Sequence, residues 1–76
     1  MDVRTEHDGP VTTVIIDRIE PSGDVYVHED APRAKLGFIA NNTPVAADTH
    51  LRRGARLSVE VADIGDVMVI KTARPL

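Results

Sequence analysis

Cysteine and tryptophan are absent from this chain, and Tyr26 and Phe38 are its only aromatic residues. Without cysteine there is neither a disulfide framework nor a thiolate metal site, which suits a reducing, cytoplasmic setting. No apolar run approaches the roughly 20 residues that a membrane-spanning helix needs. The stretch Met1 to Pro10 lacks the basic and apolar regions of a signal peptide. His7, His28 and His50 are too widely spaced to read as a metal-ligand motif, so neither metal nor other cofactor is expected. The glycines mark turns and form no phosphate-cradling loop. Ser22 and Ser58 fall in a turn and in mid-strand, away from any nucleophile elbow. Asp48-Thr49-His50 offers an acid and a base with no nucleophile beside them. These absences argue against an enzyme and for a binding module.

What remains is a short, β-branched chain of 76 residues. That length makes one domain, close to the lower limit at which a hydrophobic core suffices without staples. The formal net charge is −3, unevenly distributed. Residues 1–30 hold eight carboxylates against two bases, and residues 31–76 hold seven bases against four carboxylates. Local patches govern recognition more than the total does, so the basic second half is a candidate contact surface.

Valine, isoleucine and threonine lose little on entering a pleated strand, where their stiff side chains pack against cross-strand neighbours. The pattern predicts about five strands: Val11 to Glu20, Asp24 to Glu29, Leu36 to Asn41, and a terminal hairpin. In that hairpin Leu57, Val59 and Val61 alternate with Arg56, Ser58 and Glu60, and a turn at Gly65-Asp66 leads into Val67 to Ile70. Pro21-Ser22-Gly23-Asp24 is a turn, with proline presetting φ and glycine permitting positive φ. Asp30 to Lys35 reads as a loop or a single helical turn. Asn42 to His50 is the longest connection and has room for a short helix. Residues 1–10 read as a loose tail, leaving 11–76 as the domain. The expected fold is all-β, a small five-stranded partly open barrel in which closure removes most exposed edges.

Three segments carry a family resemblance: Arg18-Ile-Glu-Pro-Ser-Gly-Asp-Val-Tyr-Val27, Gly37-Phe-Ile-Ala40 and Leu51-Arg-Arg-Gly-Ala-Arg-Leu-Ser-Val-Glu-Val61. Together they resemble the OB-fold of ribosomal S-one-type, TRAM and cold-shock domains. Those domains share a strand–glycine turn–strand opening, a glycine-plus-apolar third strand and a leucine–basic–glycine turn before the fourth. The resemblance covers roughly residues 12–72, and it implies single-stranded RNA or DNA bound across the second and third strands. That role needs aromatic faces for stacking and basic side chains along the phosphates. Period-two counting puts Asp24, Tyr26 and His28 on the face opposite Val25 and Val27. Tyr26, His28 and Phe38 are therefore the candidate base contacts, and Arg33, Lys35, Arg52, Arg53 and Lys71 the candidate phosphate contacts. The side on which Phe38 lies is left open by the sequence.

Other readings start from different residues. Ser22 to Val27, Pro32 to Phe38 and the terminal hairpin resemble an AbrB-type swapped-hairpin barrel, which implies a dimeric DNA-binding regulator. His7-Asp-Gly-Pro-Val-Thr-Thr-Val-Ile-Ile-Asp-Arg18 is similar to the opening strand of crotonase-type enzymes, a likeness that stops at Arg18. A protein-interaction or assembly module is the remaining class. There the acidic first half would suit a basic partner, and Val67 to Ile70 would serve as an open edge accepting a partner's strand.

Overall fold

The computed structural model describes residues 10–64 and 67–76. It contains five strands: β1 (Val11–Ile19), β2 (Val25–Glu29), β3 (Leu36–Ile39), β4 (Arg56–Ile64) and β5 (Val67–Pro75). They close into a barrel in the order β1-β2-β3-β5-β4, with β4 returning to β1. All pairings are antiparallel except β3 with β5, which is parallel. This is the expected small five-stranded barrel, and the strand order is compatible with an OB-like fold. The predicted tail at Met1 to Gly9 and the turn at Gly65-Asp66 lie outside the described residues. Among the described residues there is no helix long and apolar enough to cross a membrane.

Alternation builds the core. Val14 and Ile16 from β1, Val25 and Val27 from β2, and Ile39 from β3 point inward. Leu57, Val59 and Val61 from β4 and Met68, Ile70 and Ala73 from β5 complete the filling. No polar or charged residue is buried among the described residues. Gly37 lies where three of these side chains converge. A Cβ there would stand 3.0 Å from Val27 Cγ2 and 3.1 Å from Met68 Cε, so its missing side chain lets β3 approach β5.

Two expectations are corrected. The connection Asn42 to His50 holds no helix but turns and an extended bridge, Val45 beside Ala73. Ala46 N–H donates to Ala73 O at 3.0 Å, and Ala73 N–H donates to Pro44 O at 3.2 Å. Pro44 disfavours helix in the residue before it, and β5, which outruns the four-residue β3, has backbone groups there that need partners. The second correction concerns Val67 to Ile70, which is no open edge. β5 runs between β4 and β3, so its ladder groups face strands on both sides.

The turns follow the residues that set them. In the β1–β2 turn, Gly23 N–H donates to Glu20 O at 2.9 Å, and Gly23 has φ 97°. Before β4, Gly54 has φ 86°, and nothing lies within 4 Å of the position a Cβ would take. Gly54→Ala therefore meets no clash and feels only the left-handed backbone penalty, about 1–2 kcal/mol. Urea denaturation should show that loss in the midpoint with an unchanged slope.

Candidate nucleic-acid interface

The outer surface of β2, β3 and β5 is ordered by register. Tyr26 pairs with Phe38, which pairs with Val69; one step along, His28 pairs with Leu36, which pairs with Val67. The residues between them, Val27, Gly37 and Met68, are buried. Both rows therefore lie on the outside, and Phe38 is an outward residue. Tyr26 is 38% exposed, Leu36 61%, Val67 48% and Val69 53%, an unusually apolar display for a solvent-facing sheet. The Tyr26 and Phe38 ring centroids are 5.2 Å apart with planes tilted by 57°, within the range of favourable aromatic pairs.

A β-bulge at Asp17 extends this surface onto β1. Ile16 is opposite Val27 and Arg18 opposite Tyr26, so Asp17 is the extra residue. Strict alternation from Val14 and Ile16 would turn Arg18 into the core; the bulge brings it outside, beside Tyr26. Its guanidinium carbon sits 4.5 Å from the Tyr26 ring centroid, a cation–π contact. Arg18 Nε donates to Glu20 Oε2 at 2.6 Å. The bulged Asp17 meets His28, with Oδ1 and Nδ1 2.6 Å apart. Arg18, Leu36, Val67 and Val69 were not among the nucleic-acid contacts predicted from sequence. A basic residue at an inward-parity position was the available sign for Arg18.

The predicted phosphate contacts are dispersed. Arg33 is exposed on the β2–β3 connection, next to the His28–Leu36 row. Lys35 lies on the same connection, where its carbonyl accepts Glu29 N–H at 2.8 Å. Lys71 follows Val69 on β5, and its Nζ is 3.7 Å from Glu60 Oε2. Arg52 and Arg53 precede β4 in a turn that docks on β1, with Gly54 N–H donating to Ile16 O and Ile16 N–H donating to Ala55 O. That turn is on the edge of β1 away from β2, so the structure does not bring these arginines to the aromatic row.

Carboxylates accompany most of the remaining charge. Besides the pairs at Arg18 and Lys71, Arg56 Nε is 3.6 Å from Asp30 Oδ2. Each cation of these pairs is well exposed, although Glu60 is partly covered, and such surface pairs contribute little to stability. Their effect is to limit the positive potential around the face. A shallow groove of about 630 Å³ runs over the apolar rows, lined by Tyr26, Leu36, Phe38, Val67 and Val69 and reaching Asn42 and Thr43 at one end. No group of three or more potential metal-binding side chains converges among the described residues. Compared with known proteins, the chain matches no family model, no curated protein and no solved structure.

Proposed function

We propose that this barrel binds single-stranded RNA or DNA by stacking bases on Tyr26 and Phe38, with Arg18 and His28 at the border of the platform. The observation that carries this reading is the paired, outward placement of the two aromatic residues beside a cation. Every base has a π-face, so such a platform suits a flexible single strand, and each stacked base contributes about 1–3 kcal/mol. The resemblance to S-one-type, TRAM and cold-shock domains supports the same choice. The charge pairing refines it: stacking carries most of the affinity, and phosphates the smaller part.

Titration of labelled single-stranded RNA and DNA at two salt concentrations tests this. With one or two phosphates engaged, affinity should fall only about three- to sevenfold between roughly 50 and 200 mM salt, from a slope near −0.7 per contact. Tyr26→Ala should weaken binding about five- to hundredfold at either salt, the loss of one stacked base. Absence of binding at low salt, or full affinity in the Tyr26 variant, would remove the proposal.

The aliphatic residues Leu36, Val67 and Val69 favour a second reading, a protein-interaction or assembly module. In that case an apolar patch is buried against a partner, and pull-down replaces oligonucleotide titration as the test. The swapped-hairpin regulator has less support, because it requires strand exchange between two chains and all five strands here close within one.

A further inference from the structure

Arg18 is a cation whose place on the platform the structure fixes at two points. The bulge at Asp17 sets it outside, opposite Tyr26. Its guanidinium carbon is 4.5 Å from the Tyr26 ring centroid, and its Nε donates to Glu20 Oε2 at 2.6 Å. Glu20 makes one bond where a full carboxylate fork would make two. The terminal Nη1 and Nη2 donate to no group among the described residues. The Arg18 side chain is 65% exposed, and Tyr26 remains 38% exposed beside it. Lys71 and Arg56 are placed differently: they reach Glu60 and Asp30, with no ring contact among the described residues.

We infer that Arg18 is the phosphate contact of the platform and Glu20 its positioning residue, holding Nε while the terminal nitrogens take the backbone beside the base on Tyr26. This rests on the single-strand reading above, and within a single strand phosphate is the anionic group. The planar fork of a guanidinium matches two phosphate oxygens. Ring and carboxylate already restrain the side chain, so less of its rotamer freedom is left to lose on binding. A guanine edge also fits such a fork. Stacking is tolerant of base identity, however, and phosphate is the partner that every nucleotide brings. The same geometry makes Glu20 an opponent as well as an anchor. Its carboxylate stands across one guanidinium from the bound phosphate, and like charges repel. Arg18 therefore works below its full strength, in keeping with the shallow salt dependence expected of this face.

The test titrates oligouridylate and oligoadenylate RNAs, which contain no guanine, at about 50 and 200 mM salt. Arg18→Gln should weaken both about tenfold at the lower salt, the loss of a hydrogen bond between charged groups. At the higher salt the deficit should shrink to about fourfold, because one contact with a slope near −0.7 has gone. Arg18→Lys keeps the charge without the fork, so it should restore the wild-type salt slope at reduced affinity. Glu20→Gln retains an acceptor for Nε and removes the charge. It should raise affinity about two- to threefold at the lower salt, the repulsion of unit charges roughly 6–8 Å apart in water. All three positions of change are exposed or half-exposed, and far-ultraviolet spectra should match the wild type. An unchanged salt slope in Arg18→Gln overturns the inference even if affinity falls, since Arg18 would then act through stacking alone. A slope that Arg18→Lys fails to restore overturns it too, and a Glu20→Gln affinity no greater than wild type removes the part assigned to Glu20. Failure of the single-strand reading looks different: neither RNA binds, or Tyr26→Ala leaves both unaffected.

Discussion

With alanine in place of Ile16, the barrel is expected to lose about 2–5 kcal/mol of stability, the cost of truncating a large aliphatic side chain in a closed core. Ile16 is 1% exposed and among the largest fully buried side chains. It also lies where three elements meet: it is opposite Val27 on β2, precedes the bulge, and its backbone holds the turn at Gly54 and Ala55. At about 0.05–0.15 kcal/mol per residue, total stability is only about 4–11 kcal/mol for a chain of this size. The loss is therefore a large fraction of the whole. Thermal unfolding followed by circular dichroism should show a midpoint at least about 8 °C lower. The neighbouring Ile15→Ala is the control, because Ile15 is half-buried on the opposite face and should cost less than half as much. Equal effects at the two positions would contradict the strand parity on which the outer face depends.

Alanine at both Tyr26 and Phe38 is expected to reduce oligonucleotide affinity at least about thirtyfold, since two stacking contacts of about 1–3 kcal/mol each are removed. The pair touches, with centroids at 5.2 Å, so the double loss need not equal the sum of the single ones. Both rings lie outside the core, and the barrel should survive. Loss of their mutual contact removes only about 0.5–1.5 kcal/mol beyond burial. A far-ultraviolet spectrum like that of the wild type, together with lost binding, is the expected combination. A folded double variant with undiminished affinity would move the recognition surface elsewhere.

The barrel was legible in this sequence because its strands are marked by alternating β-branched residues and by glycine turns that the structure uses. Val25 and Val27 alternate against Tyr26 and His28, and Gly23 and Gly54 adopt the positive φ their positions require. Bulges hid the rest. At Asp17 the period of two breaks, and Arg18 changes sides. On β5, Thr72 is opposite Glu60 while Ile70 is opposite Val61, so Lys71 is an extra residue and the apolar pattern lapses. That lapse concealed the second half of the strand, which continues past Ile70 to Pro75. The outward side of Phe38 was undecidable from composition, since an aromatic after a glycine suits either face. Pairing with Tyr26 resolves it. The aliphatic half of the surface was invisible for another reason: Leu36, Val67 and Val69 look like core residues until β3 and β5 are known to be neighbours.

That parallel neighbourhood of β3 and β5 also bears on time. The pairs β1–β2, β2–β3 and β4–β5 join strands adjacent in sequence, and hairpins of this kind form within about 1–10 μs. The two remaining seams, β1 with β4 and β3 with β5, join segments separated by long stretches of chain. Their loops must close before any contact compensates for the lost entropy, and topologies dominated by such pairings fold on about the millisecond-to-second scale. The row Tyr26–Phe38–Val69 crosses one of these slow seams. The full surface consequently comes into existence with ring closure and is not contained in any one of the three hairpins. Gain of the complete platform during refolding would thus act as a clock for the last step of assembly.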